Sequence, residues 1–386
     1  MTVTKHARLL LCTLLLLSPL AAAQSPSGED CAGTDRQLAS AREAEQRADW
    51  QAALGSYREA LALAPACAEL LINVGVMHNR LNQTGQALEA FRRAAVLRPR
   101  LAAPHLNLGV TYFRARDYEG ARAALARAVE LEADNRQARQ LLALAHIAGE
   151  QFAEAAAHLE VLLEKNETDR GALLALGECY LRLRRFREAA ERLGRLTRLE
   201  PGSARAHLRH GEALDNSGEA EPALAAFRRA VGLDPALPEA HYALGYALLR
   251  RGDLEEAAAE FEAELRANPS MLLAAYHLGK VYLQLNRQAQ GVEVLTRVTE
   301  SAPEFSPALE ALGQALLKQG QAARAVPLLE RAVRLRPDWP DGRALLGRAY
   351  TAAGRREEAR REFEEARRLS EGERRRLEQK LDTRRP

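Results

Sequence analysis

An all-α fold built from ten stacked helical hairpins is predicted by three features of the sequence. The chain repeats itself every 34 residues from Thr34 to about Glu373, and the register never slips. Small residues and prolines return at fixed phases of that period. Ala, Leu, Arg and Glu dominate while aromatics make up 5% of the 386 residues, a composition that favours helix almost throughout and leaves no β-rich region. Length alone would argue for two or three domains, but an internal repeat overrides that prior.

The first element, residues 1–23, reads as a signal peptide. Lys5, His6 and Arg8 open it, Leu9 to Leu17 form an apolar run, and Pro19 and Ala21-Ala22-Ala23 precede Gln24, which places cleavage after Ala23. The stretch from Leu9 to Ala23 is 15 residues, short of the roughly 20 that span a bilayer. No later segment is more apolar, so the chain is expected to be exported, periplasmic or secreted, without a membrane span after cleavage. The net charge of +3 includes Lys5 and Arg8, leaving the mature chain at +1. That is no basic excess, and nucleic acid is not expected as a partner.

A linker at 24–33 carries Ser, Gly and Asp, and ten units follow at 34–67, 68–101, 102–135, 136–169, 170–203, 204–237, 238–271, 272–305, 306–339 and 340–373. At one phase stand Ala41, Gly75, Gly109, Ala143, Gly177, Gly211, Gly245, Gly279, Gly313 and Gly347, eight glycines in ten places. Against a background of about 7% this is a structural requirement. Twelve residues on come Ala53, Ala87, Ala121, Ala155, Ala189, Ala223, Ala257, Gly291, Ala325 and Ala359. Twelve further come Pro65, Pro99, Pro201, Pro235, Pro269, Pro303 and Pro337, with Ala133 and Glu167 replacing two prolines.

In a unit of two antiparallel helices, the two small phases are expected where the backbones cross closely, since a larger side chain would hold the helices apart. The proline ends the second helix because it has no N–H to donate. Asp117, Gly149, Gly218, Gly252-Asp253, Gly320 and Gly354 mark the turns within units. The fourth unit has Ala143, Leu162 and Glu167 where Gly, Ala and Pro are usual, which predicts a local irregularity near residues 133–170. Residues 374–386 read as a basic capping helix or tail, with Leu369, Leu377 and Leu381 on one stripe among Arg374, Arg375, Arg376 and Lys380.

Removal of the signal leaves three cysteines, Cys31, Cys67 and Cys179. Export permits disulfides. Cys31 precedes the first helix of the first unit and Cys67 follows its second helix, which puts both at one end of the hairpin and predicts a bond between them. Cys179 lies within a helix and reads as a small buried hydrophobe.

The spacing Leu108-Gly109, Tyr112, Ala121, Leu125 and Ala128 in the third unit, and Leu244-Gly245, Ala257, Phe261 and Pro269 in the seventh, resembles the tetratricopeptide repeat over about 340 of the 386 residues. The resemblance implies a right-handed superhelical solenoid with a long concave groove. It also implies a non-catalytic scaffold or adaptor that binds protein or peptide partners there.

Residues that invite a chemical reading are absorbed by the repeat. His105, His207 and His241 share the fourth position of their units, a helix-packing phase, and His207 with His210 lacks a third ligand at metal-site spacing. There is no phosphate loop, GxSxG or HExxH, so no catalytic, cofactor or metal site is expected and the chain does not read as an enzyme. What remains is the groove face, at the second, fifth, ninth, twelfth and thirteenth positions of each first helix. In units six to eight these include Arg205, Glu212, Asp215, Tyr242, Tyr246, Arg250, Tyr276, Lys280 and Gln284. Tyrosine and arginine concentrate binding energy at protein interfaces, so a peptide site is predicted there. Asn73 and Asn107 share the sixth position of units two and three, where some relatives of the repeat carry an asparagine ladder that binds a peptide backbone. Two other readings stand beside this one: a glycan or cell-wall ligand stacked on the tyrosines, and self-association through the end units. The glycosylation sequons at Asn82 and Asn166 both fall between helices.

Overall fold

Each unit turns back on itself because its fifteenth residue adopts the left-handed backbone conformation. Those residues are Ala48, Asn82, Arg116, Glu150, Arg184, Gly218, Gly252, Asn286, Gly320 and Gly354, all at positive φ. Only four are glycine, so six units hold a residue with a Cβ in αL, which the packing of the two helices on either side enforces. Gly149, expected to make the turn in unit four, sits instead at φ −90° as the helix cap, and Glu150 takes the left-handed position. A side-chain cap starts the next helix in some units: Asp49 accepts from the Ala52 amide at 3.0 Å and Asp117 from Gly120 at 2.9 Å.

The computed structural model describes residues 29–382; the signal peptide expected at 1–23, the expected linker as far as residue 28, and residues 383–386 lie outside the described residues. The chain forms two compact bodies, divided after Pro201. A single 3-10 turn, Glu29–Cys31, precedes the first hairpin. The N-terminal body then holds α1 (Asp35–Gln46), α2 (Trp50–Leu63), α3 (Ala68–Arg80), α4 (Thr84–Leu97), α5 (Ala102–Arg114), α6 (Tyr118–Leu131), α7 (Arg136–Ala148), α8 (Phe152–Lys165), α9 (Arg170–Arg182) and α10 (Phe186–Leu199). The C-terminal body holds α11 (Ala204–Ser217), α12 (Ala220–Leu233), α13 (Ala240–Arg251), α14 (Leu254–Ala267), α15 (Leu272–Gln284), α16 (Gln288–Ser301), α17 (Ser306–Lys318), α18 (Ala322–Leu335), α19 (Pro340–Ala352) and α20 (Arg356–Asp382). No strand occurs among the described residues.

Within each body every helix packs on the next in chain order. First helices of successive units also touch one another, as in α3 with α5 and α13 with α15. The first helices therefore form the inner layer and the second helices the outer one. The small phase of the first helix makes room for a large side chain sixteen residues on. A Cβ at Gly177 would come within 2.5 Å of Leu193, and one at Gly75 within 2.5 Å of Phe91. This refines the expectation of a backbone crossing: the space is taken by Phe or Leu of the second helix. In unit eight, where Gly291 replaces Ala, the two backbones come close, and a Cβ on Gly291 would lie 3.0 Å from the Gly279 carbonyl.

The irregularity expected near residues 133–170 does not occur. α7 and α8 keep the standard lengths, and Ala143 and Leu162 are buried like their counterparts. Asn135 and Asp169 cap α7 and α9 through their side chains, so these helices start cleanly without the missing prolines. The departure lies in unit seven. There α13 begins two residues late at Ala240, with Glu239 at φ 71° between Pro238 and the helix. Toward the C-terminus α20 runs unbroken from Arg356 to Asp382, so residues 374–382 continue the second helix of unit ten, and the rest of the expected capping tail lies outside the described residues.

A recurring tie joins consecutive units. Tyr180, Tyr282 and Tyr350, at the eleventh position, donate their hydroxyls to Glu160, Glu262 and Glu330 on the preceding second helix. Arg185, Arg287 and Arg355 lie over the same three rings. Burial and the acidic partner push each of these phenols up to about 12. Cys31 and Cys67 are joined in a disulfide across the open end of the first hairpin, with Cα atoms 5.1 Å apart.

Candidate functional site

The inner face differs in chemistry between the two bodies. In units two to four its fifth, ninth and twelfth positions include Ile72, Val76, Leu106, Val110, Phe113, Leu144 and Ile147, all buried, with Asn79 also buried and Gln140 partly exposed. Asn73 and Asn107 are buried in the same layer. The Asn107 amide donates to the Ala103 carbonyl of its own helix at 2.9 Å, and Thr111 links Asn79 to the Asn107 carbonyl. The two asparagines expected as rungs toward a peptide are thus enclosed, and that of unit three donates its amide to its own helix while its Oδ1 is buried without a partner.

In units six to eight of the C-terminal body, Glu212, Asp215, Tyr242, Tyr246, Tyr276 and Lys280 at these positions are polar or aromatic and at least partly exposed, while Leu208 at the fifth position of unit six stays buried. Arg205 and Glu212 are half-buried on α11, and Glu212 receives Arg209 at 2.8 Å on both carboxylate oxygens. Asp215 takes Arg250 in the same manner, 2.8 Å to each oxygen, tying α11 to α13. Arg250 is therefore engaged rather than waiting for a ligand.

Tyr242 and Tyr246 lie one turn apart on α13 with rings stacked 6.2 Å between centres. His277 on α15 inserts beside them, 6.0 Å from Tyr242, 5.2 Å from Tyr246 and 5.8 Å from the buried Phe261 ring. Tyr276 adjoins His277 at 5.1 Å and meets Phe305 edge-on at 5.3 Å. Lys280 stands over Tyr276, 5.5 Å from the ring centre. From Lys280 a cleft of about 400 Å³ opens between α15 and α17, lined by Gln284, Gln288, Gln314 and Lys318 over Leu283 and Ala315. Tyr242, Tyr246, Tyr276, Lys280 and Gln284, dispersed in sequence, are thus brought into one strip. Asn73 and Asn107 belong to the other body.

The three tyrosines of the strip differ from the inter-unit ties. Their hydroxyls bond no described residue, whereas those of Tyr180, Tyr282 and Tyr350 are all taken. Tyr246 is 38% exposed and the other two are partly so. Tyr242 is held by an unusual support. The Glu264 carboxylate, buried where most units have Ala and the others Val or Leu, accepts the Tyr242 backbone amide at 3.3 Å and so satisfies the late start of α13.

His277 is the residue that sequence reasoning missed. It shares the sixth-position phase of Asn73 and Asn107, which was the signal available. Its Nδ1 is buried without a partner, and burial, aided by Lys280, pulls the ring down to about 4, so it is neutral at pH 7. Histidines at the fourth position behave as packing residues; His241, for example, bonds Glu260 at 2.5 Å. The one cluster of three metal-capable groups among the described residues is Cys31, Cys67 and Glu69, where both sulfurs are spent on the disulfide. Cys179 is buried and its thiol pushed up to about 12, which removes it as a nucleophile. No described helix is long and apolar enough to cross a membrane.

Stacked helical hairpins whose inner face carries the variable, chemically distinctive residues define a helical-repeat scaffold of the kind used for protein interaction. Family models described as tetratricopeptide repeat match residues 38–102, 106–170 and 239–305, and a second set 146–211 and 316–376. A model described as TPR repeat matches 211–252. The chain belongs to the tetratricopeptide repeat family. No curated protein sequence matches it. Among solved structures it is similar to YrrB, described as a TPR protein with an unusual peptide-binding site, at 24% identity over 50% of this chain and 98% of that one, TM-score 0.45. It is also similar to MamA from Desulfovibrio magneticus RS-1 at 24% identity, 44% and 96% coverage and TM-score 0.42. Naa15/Naa10 bound to HypK-THB aligns at 15% identity, with 87% and 63% coverage and TM-score 0.46.

Proposed function

We propose that the protein is an exported, non-catalytic scaffold that holds a protein or peptide partner along the inner face of its C-terminal body. The observation that carries this reading is the strip of three partly exposed tyrosines with uncommitted hydroxyls, running into the cleft at Lys280 and Gln284. Rigid aromatic area and fixed donors give binding energy at low entropic cost, and the packing of the repeat does not use these hydroxyls. Export is supported by the N-terminal basic-then-apolar segment and by the Cys31–Cys67 bond, which suits an oxidising compartment.

The test is capture of envelope or secreted proteins by the intact chain and by Tyr246→Ala/Lys280→Glu. A partner retained by the first and lost by the second, with helical content unchanged, supports the reading; equal capture refutes it. A second reading, self-association through the C-terminal end, is favoured by Phe363. This residue is 40% exposed at a phase that is buried in the preceding units. Light scattering of Phe363→Glu against the unaltered chain decides it.

A further inference from the structure

Resting on the reading of the strip as a peptide site, we infer that its ligand is a proline-rich segment in the polyproline II conformation with an acidic residue beyond the proline turn. Extended peptides are recognised by a small number of physical modes. Strand addition needs a sheet edge, and no strand exists among the described residues. Docking of an amphipathic helix needs a row of aliphatic sockets. The strip offers instead tyrosine and histidine rings followed by lysines and glutamines. An aromatic-lined groove is the receptor for polyproline II, whose flat pyrrolidine rings stack on aromatic faces.

The polar groups agree. A polyproline II backbone makes no internal hydrogen bonds, so its carbonyls need external donors. The hydroxyls of Tyr242, Tyr246 and Tyr276 are donors that bond no described residue. His277 fills the floor between them as a neutral ring. The rings of Tyr246, His277 and Tyr276 adjoin one another, with centres 5.2 and 5.1 Å apart, and offer neighbouring aromatic faces for pyrrolidine rings to meet.

Charge supplies the direction. One helical turn beyond Tyr276 stands Lys280, and across the cleft Lys318; neither forms an ion pair with a described residue. Gln284, Gln288 and Gln314 between them provide amides for backbone groups. A carboxylate placed just past the proline turn would meet both ammonium groups, and a basic residue would be repelled.

The experiment uses the full chain as exported and three fluorescein-labelled probes: an oligoproline ending in two aspartates, a peptide of equal length and charge with Ala and Ser for Pro, and a chitin oligosaccharide as a glycan. Fluorescence anisotropy is read for the unaltered chain, Tyr246→Phe/Tyr276→Phe and Lys280→Gln/Lys318→Gln. The expected result is at least tenfold tighter binding of the proline probe than of the Ala/Ser probe, weakened severalfold by either double variant. Equal binding of the two peptides overturns the polyproline inference. So does binding of the oligosaccharide alone. If neither peptide binds while capture of a native partner still depends on Tyr246 and Lys280, the inference fails and the scaffold reading stands. If capture is independent of those residues, both fail.

Discussion

Replacing tyrosine by phenylalanine should divide the tyrosines of this chain into two classes that respond oppositely. In Tyr282→Phe the lost hydroxyl is one that donates to Glu262 at 2.6 Å, and in Tyr350→Phe one that donates to Glu330 at 2.7 Å. A hydrogen bond to a charged group is worth about 1.5–3 kcal/mol when enclosed. The glutamates are partly solvated, so about 1–2 kcal/mol is expected, lost at the interface between consecutive units. Tyr242→Phe, Tyr246→Phe and Tyr276→Phe delete hydroxyls that bond nothing described and should change stability by less than about 0.5 kcal/mol. A long repeat array need not unfold in one step, so the assay is hydrogen exchange resolved by segment, backed by urea unfolding followed by circular dichroism. Faster exchange confined to α14–α16 for Tyr282→Phe, and none for Tyr246→Phe, is the expected pattern. Alkali gives an independent reading. The phenol of Tyr282 is raised to about 12, so the stability it supplies is complete below its unfolded value near 10 and lost as pH rises through 12. A groove tyrosine that destabilises as much as Tyr282 on loss of its hydroxyl would refute the division, and with it the reason for placing a ligand on the strip.

Other outcomes follow from the same geometry. Gly177→Ala gains about 1 kcal/mol of helix propensity but forces its Cβ to 2.5 Å from Leu193, a clash expected to cost about 1–3 kcal/mol, whereas Gly245→Ala meets Phe261 at 3.1 Å and should be close to neutral; urea midpoints in the reverse order would disprove the packing role. His277, neutral when folded and drawn down to about 4, makes the unfolded chain bind the extra proton between pH 6.5 and 4, so stability falls as pH drops through that window. After discounting for partial exposure the loss is about 1–2 kcal/mol, and His277→Phe should lack that part of the acid sensitivity. Breaking the Cys31–Cys67 bond, which closes a 36-residue separation, should cost about 4 kcal/mol and free the first hairpin to proteolysis, while thiol labelling of the denatured, oxidised chain from residue 24 onward should find Cys179 alone. Arg250→Glu faces Asp215 and should lower stability by about 1 kcal/mol, whereas Lys280→Glu should alter binding without altering melting.

Packing was legible in the sequence because each 34-residue unit solves one steric problem in the same way. Gly177 and Leu193 are sixteen residues apart, Gly211 and Phe227 likewise, and the hairpin brings each pair together. Where the period breaks, legibility depended on whether a neighbour compensates. Ala143 and Glu167 looked like defects, yet Asn135 and Asp169 supply the caps and the unit is regular. The real departure at Pro238 was hidden because its cause is tertiary: Glu264, 26 residues on, stabilises a helix start that the local sequence leaves incomplete.

The groove was legible as a face and less so as a site, for a physical reason. Position within the unit says which side chains reach the inner layer, but their availability depends on what the adjacent first helix presents at the same height. Arg250 and Lys280 occupy neighbouring groove phases and look equivalent as cations. The structure gives Arg250 the Asp215 carboxylate, which makes it a strut, and sets Lys280 over the Tyr276 ring without an ion pair to a described residue, which leaves it for the proposed ligand. Asn107 and His277 share one phase and each keeps one buried polar atom unpaired, yet the first turns its amide onto the Ala103 carbonyl of its own helix and the second lies among tyrosine rings. A repeat therefore fixes geometry by period and assigns chemistry by adjacency. That is why the discriminating experiments on this chain compare residues of the same type at different phases, rather than the presence and absence of any one of them.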